Sequence, residues 1–285
     1  MVVKKICLKD FYPFLGENDR NPYVDMYLPY NLAEMKRQEQ KRPSMVVCPG
    51  GGYWMCSERE AEPIALKFLD MGFNVFVIYY STAKSGPHRY PTQLIEVAAL
   101  FDYINKNADD LHVDAEKIGI IGFSAGGHLA AHYSNLWNDE IIKEKFGATY
   151  KPAASILCYA VISVEDHPNR GSFENLIGHF PETEEEINRF SCEKLVGKQT
   201  PPTFLFHTSE DQTVPVQNSI CYAGALAENG VPFEMHIYPY GWHGISTADS
   251  MTLDSNNDKL PYISDWVIKV KRWINVLFDL KLGGI

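Results

Sequence analysis

Short apolar runs alternate with segments of helical period along nearly the whole chain, and this alternation restricts the architecture more than any other feature of the sequence. Ser44–Cys48 lies between Pro43 and Pro49 and reads as a buried strand. Glu60–Met71 follows as a helix, with Pro63 in its first turn and Gly72 at its end. Phe73–Tyr80 reads as a second strand, Pro91–Asn105 as a helix and Ile118–Phe123 as a third strand, with a helix through Leu129–Trp137 directly after it. Strands at Ala154–Tyr159, Thr203–Thr208 and Phe233–Tyr238 surround a helix at Val216–Asn229. Ile263–Leu280 closes the pattern as an amphipathic helix. Such an order predicts an α/β fold, a mostly parallel central sheet with helices on both faces. Tyr23–Leu28 is expected as antiparallel edge structure. With no internal repeat and no linker, residues 1–285 read as a single domain. Residues 161–201 interrupt the rhythm without a strand signal, so this insertion is either a cap over a site or a solvated excursion.

Composition narrows the partners. The chain of 285 residues carries 26 basic and 36 acidic side chains, a net charge of −10, which argues against a nucleic-acid ligand. Lys4, Lys5, Lys9 and Asp10 break up the first apolar residues, so no secretory leader is expected there. No run reaches the roughly 18 apolar residues of a membrane span. The expected setting is therefore cytoplasmic, with no membrane partner. Cysteines at 7, 48, 56, 158, 192 and 221 are too dispersed for a zinc site and read as small core residues.

The chemistry concentrates at Gly122-Phe123-Ser124-Ala125-Gly126. A G-x-S-x-G pattern alone is weak, but here a buried strand runs into it and a helix runs out. That context lifts a serine onto a strained turn above a sheet. A serine hydroxyl needs a base, and on such a sheet an acid and then a histidine follow at later strand ends. His243, in the glycine-flanked loop after Phe233–Tyr238, is the candidate base, preferred over His207 and His236 inside strands. Asp211, just past Thr203–Thr208, is the candidate acid; Glu210 and Asp166 are its competitors. Backbone donors for a developing oxyanion are expected from Ala125 and from Pro49-Gly50-Gly51-Gly52, where Gly51 and Gly52 are favoured and Gly50 is not excluded. Tyr53, Trp54 and Trp242 flank these motifs and either line the substrate pocket or pack in the core. His128, four residues after Ser124, reads as a supporting residue on the helix.

Taken together, these motifs resemble the α/β-hydrolase superfamily, in particular the small serine esterases related to hormone-sensitive lipase and to acetyl-xylan esterases. The likeness covers roughly residues 20–280. The oxyanion loop of that group, often His-Gly-Gly-Gly, corresponds to Pro49–Gly52, with proline in place of histidine. GFSAGGHLA at 122–130, Asp211 separated by two residues from Val-Pro at 214–215, and Gly241–Gly244 match its other motifs in order. Ser57–Ala65, Gly171–Gly178 and Pro201–Ser219 are similar to acetyl esterases acting on acetylated carbohydrates. The resemblance implies a serine carboxylic-ester hydrolase that removes a short acyl group, with a small-molecule ester as partner and neither metal nor organic cofactor. Two other readings remain open: an amide or formamide hydrolase, peptidase-like or arylformamidase-like, with the same triad, and a non-catalytic binding protein on this fold. The second would ordinarily have lost a triad member, and none is missing here. Insertion and edge strands both offer surfaces for a homo-oligomer.

Overall fold

The computed structural model describes residues 1–253 and 262–280; positions 254–261 and 281–285, which the single-domain reading also spans, lie outside the described residues. Eight strands form one sheet: β1 (Val2–Cys7), β2 (Tyr23–Leu28), β3 (Arg42–Cys48), β4 (Asn74–Tyr79), β5 (Val113–Phe123), β6 (Ala154–Cys158), β7 (Thr203–Thr208) and β8 (Phe233–Tyr238). Their spatial order is β1-β2-β4-β3-β5-β6-β7-β8. From β4 to β8 every neighbour is parallel, and β2 joins β4 antiparallel, with β1 outside it.

Parallel strands need crossovers, and the helices supply them: α1 (Glu62–Asp70), α2 (Thr92–Lys106), α3 (Ser124–Leu136), α4 (Glu140–Phe146), α5 (Arg170–Ile177), α6 (Glu184–Phe190), α7 (Gln217–Glu228) and α8 (Trp266–Leu277). The period-2 alternation of each strand divides two cores. Val46 and Phe76 face the layer built by α2, α3 and α7, while Met45, Val47, Val75 and Val77 face α1 and α8. On α8 the buried Trp266, Val270 and Ile274 recur every four residues, the spacing of one helical stripe. Trp266 stacks on Phe206 of β7 at 4.8 Å and 6°, and its Nε1 donates to Ser246 O, so α8 holds the loop after β8 as well as the sheet.

Three elements differ from the sequence expectation. β1 gave no core signal because only Ile6 is buried; its exposed Lys4 and Lys5 suit a protected sheet edge. The first helix starts at Glu62 rather than at Glu60, because 58–60 form a separate 3-10 turn that sends the Glu60 carboxyl inward. Residues 161–201 fold as α5 and α6 plus a short turn at Cys192–Leu195. The acidic run there is the first turn of α6, capped by Thr183 and Glu186, where carboxylates oppose the helix dipole. The insertion is thus packed structure. Of the cysteines, 48, 158 and 192 are buried and 7, 56 and 221 half-buried; all are free thiols.

A buried carboxyl anchors the start of the loop after β4. Glu96 of α2 accepts from Ser81 N (2.7 Å) and Ser81 Oγ (2.5 Å), and burial pushes it up to about 7 despite those donors. Between its ordinary 4.5 and that value the folded chain holds a proton that the unfolded chain has released. Stability therefore falls as pH rises through this window, by up to about 3 kcal/mol. Glu96→Gln, which cannot ionise, is expected to remove that part of the slope. Urea unfolding of both proteins at about pH 5 and about pH 8 reads it as a relative gain for the variant at the higher pH.

Candidate active site

β5 ends at Phe123 and α3 begins at Ser124, whose φ of +52° is a left-handed conformation that a non-glycine residue seldom adopts. The turn closes only because its glycines lack side chains. A Cβ on Gly122 would lie 2.1 Å from Gly126 O, and one on Gly126 would lie 2.2 Å from Cys48 O at the end of β3. Ser124 is thereby lifted to the rim of a cavity shared with His243, Gly51, Gly52 and Glu60.

The structure brings Ser124, His243 and Asp211 into one line. His243 Nε2 lies 2.7 Å from Ser124 Oγ, and its Nδ1 lies 2.7 Å from Asp211 Oδ2. A carboxylate only accepts, so Nδ1–H donates to Asp211. In the neutral ring Nε2 is then left to accept the serine proton. Asp211 Oδ1 accepts from Thr213 N and Val214 N, both at 2.9 Å. Burial alone would raise the Asp211 carboxyl, but His207, His243 and the Val214 amide outweigh it and hold it well below the usual carboxylate range. The competing acids are engaged elsewhere: Glu210 accepts from Gly241 N, and Asp166 meets His167 Nδ1. His207, set aside as a base, is buried with Nε2 3.5 Å from Asp211 Oδ2; Ser219 and Val214 O fix its ring.

The three glycines divide their tasks. Gly50 N donates to Glu60 Oε2 at 2.9 Å, so it is spent. Gly51 and Gly52, at φ +118° and +63°, turn amides that have no protein acceptor among the described residues. Ala125 N, in the first turn of α3, lacks an intrahelical acceptor by position. These are the donors available to an oxyanion. Tyr80 Oη, which donates to Pro49 O at 2.7 Å, and Asn175 Nδ2 of α5, which donates to Gly52 O at 2.8 Å, clamp the loop from two sides.

The aromatic expectations fare differently. Tyr53 is buried, and its hydroxyl meets His128 Nδ1 at 2.8 Å behind the loop. His128 Nε2 meets Phe190 O at 2.9 Å; a carbonyl only accepts, so Nε2 donates and Nδ1 accepts from Tyr53. Burial lowers this imidazole to about 4, which keeps it neutral. Trp54 and Trp242 are about half exposed and line neither the catalytic cavity nor the core. Instead Met55, Ser57, Arg59, Asn169, Ser172 and Thr213 complete the wall, so the insertion contributes Asn169 and Ser172.

Glu60 is the residue that sequence reasoning missed, since nothing in SEREAE separates it from Glu58 or Glu62. Its Oε2 holds Gly50, and its Oε1 accepts from Tyr159 Oη at 2.7 Å. That phenol in turn accepts from Ser246 N, and its ring packs edge-on against His243 at 5.1 Å. One fully buried carboxyl, pushed upward by desolvation, thus joins the oxyanion loop to the histidine loop.

The BD-FAE family model matches residues 24–226, more than half of the chain. The chain belongs to the BD-FAE family. It is 38% identical over 230 residues to endo-1,4-beta-xylanase B of Butyrivibrio fibrisolvens, covering 78% of this chain and 35% of that protein. To the acetylxylan esterase of Xylanibacter ruminicola it is 31% identical over 206 residues, 70% of this chain and 40% of the relative. The chain therefore spans well under half the length of both. Among solved structures it superposes on an acetyl ester-xyloside bifunctional hydrolase from Caldicellulosiruptor lactoaceticus with a TM-score of 0.81 at 30% identity, covering 96% of each chain. The carboxylesterase Cest-2923 from Lactobacillus plantarum gives 0.82 at 26%, covering both chains in full. The architecture is the α/β-hydrolase fold that these hydrolases share.

The Glu60 bridge predicts a kinetic effect. Glu60→Gln keeps one acceptor oxygen, so Gly50 N–H and Tyr159 O–H cannot both be satisfied. We expect kcat to fall about tenfold to a hundredfold with KM little changed, since loop placement rather than ground-state binding is lost. Steady-state kinetics on nitrophenyl acetate, with thermal unfolding as a control, measures it.

Proposed function

We propose that this BD-FAE esterase removes short acyl groups, acetyl foremost, from acetylated carbohydrates through an acyl-enzyme on Ser124. In this mechanism Ser124 Oγ attacks the ester carbonyl while His243 Nε2 takes its proton, and Asp211 holds the imidazolium without taking the proton itself. The amides of Gly51, Gly52 and Ala125 receive the oxyanion. His243 then protonates the departing alkoxide. Water, deprotonated by the same nitrogen, attacks the acyl-enzyme and releases the acid.

The observation that carries this reading is the Ser124–His243–Asp211 line at 2.7 Å and 2.7 Å beside amides without protein acceptors. A cavity of about 240 Å³ supports the short acyl group. It is smaller than the roughly 300–1,000 Å³ of sites for drug-sized ligands. The likeness to an acetylxylan esterase and to an acetyl ester-xyloside hydrolase supports a carbohydrate as the alcohol. An imported oligosaccharide rather than an extracellular polymer belongs to the same proposal, and finding the protein secreted would overturn that part.

Nitrophenyl acetate is expected to be cleaved well ahead of the octanoate, with acetate also released from acetylated xylo-oligosaccharides. Ser124→Ala should abolish all of these activities, and Asp211→Asn should lower kcat by about 10⁴-fold through the wrong imidazole tautomer. Wild-type turnover in Ser124→Ala would refute the nucleophile. Preference for formylkynurenine or an aminoacyl amide over every ester would shift the assignment to an amide hydrolase.

A further inference from the structure

Beside the catalytic cavity lies a second one of about 470 Å³, nearly twice as large. The two share a ridge. Along residues 55–60, Ser57, Arg59 and Glu60 line the catalytic side, Cys56 and Glu58 line the other, and Met55 lines both. Backbone bonds hold the ridge in place: Met55 N donates to Gly51 O (3.1 Å), Ala83 N to Tyr53 O (2.9 Å) and Lys84 N to Trp54 O (3.2 Å). The oxyanion loop and the far wall of the second cavity are therefore one hydrogen-bonded unit.

The lining chemistry of this hollow is mixed. Asp19, Asn21, Glu58 and Lys84 lie around it with the rings of Tyr23 and Tyr79, which stack on each other at 4.4 Å and 13°. Among the described residues no hydrogen bond or ion pair engages the side-chain polar atoms of these six. An alkyl chain seated here would strip water from two carboxylates and an ammonium and return no hydrogen bonds, which is unfavourable. A ligand with a hydroxyl on nearly every carbon answers donors and acceptors together, and the two tyrosines offer it their phenol hydroxyls, the Tyr23 ring itself being held between Tyr79 and Lys5 Nζ at 4.0 Å. Beneath it Ser81 is held rigidly by the Glu96 carboxyl, so the floor is preformed.

We propose that the second cavity is a saccharide subsite, holding the sugar units attached to the acylated sugar while the ester sits at Ser124. This rests on the carbohydrate reading above and adds a direction to it. The catalytic cavity of about 240 Å³ cannot enclose an acyl group and an oligosaccharide together, so the chain must leave across a wall. Met55 is the wall shared with a cavity of suitable chemistry.

Two measurements test it separately from the ester chemistry. Ser124→Ala protein is titrated with xylotriose, which carries no ester, and followed by amide NMR. Shifts are expected at Asn21, Lys84 and Ser85; shifts confined to Asn169 and Thr213, or none at saturating sugar, overturn the subsite. In parallel, Glu58→Ala and Lys84→Ala, both at exposed positions, are assayed on acetylated xylotriose and nitrophenyl acetate. The ratio of kcat/KM for the sugar ester to that for the small ester should fall about tenfold, roughly the worth of one charge-assisted hydrogen bond. An unchanged ratio overturns the subsite. An enzyme that cleaves nitrophenyl acetate but leaves acetylated xylotriose intact would instead refute the carbohydrate reading, and the titration then judges the cavity by itself.

Discussion

Everything at this site depends on a backbone contact: the first turn of α3 lies against the end of β3. Gly126 approaches Cys48 O and Pro49 O so closely that no side chain fits between them. The contact places the chain leaving β3 beside the helix that carries Ser124. A Cβ on Gly50 would lie 3.0 Å from Ser124 Cβ, so nucleophile and oxyanion loop are neighbours before any side chain is considered. The strained φ of Ser124 is sustained by the sheet on one side and the helix on the other.

Around that contact the protein uses buried carboxyls as fasteners. Asp211 is stabilised as an anion by imidazoles and backbone amides, which suits a group facing a histidine that would become cationic in the proposed mechanism. Glu60 and Glu96 are desolvated with hydroxyl and amide donors but, among the described residues, no ion pair, and burial raises both. Their value lies in geometry: each receives two hydrogen bonds and so fixes a loop at the C-terminal edge of the sheet. A buried carboxyl that is fully hydrogen-bonded specifies position well even where it adds little net stability.

The parallel strands and the three side chains that meet at the site, Ser124, His243 and Asp211, were legible in the sequence because they follow local rules. A buried strand running into G-x-S-x-G announces the elbow, and strand ends announce Asp211 and His243. What stayed hidden depends on long-range partners. Glu60 looks like its neighbours until Gly50 and Tyr159, 10 and 99 residues away, claim its two oxygens. For Tyr53, next to the glycines, the sequence left pocket and core equally open, and the turn points it inward to His128. β1 escaped notice because an edge strand with one buried residue has no hydrophobic pattern to read. The insertion showed no strand period, and its short helices owe their order to contacts with α3 and the oxyanion loop.

The hydrogen bond from Asn175 to Gly52 O bears on how such enzymes diversify. Insertions above a conserved sheet are convenient units to exchange, since their ends sit close to the core and their sequences are tolerant. Here the roof is stitched to the amides that would bear the reaction's charge, so a transplanted insertion brings along the tension on that loop. On the proposed mechanism, substrate range and turnover would be coupled through this one contact. A graft that preserves the asparagine contact can vary one while sparing the other, whereas one that discards it alters both together.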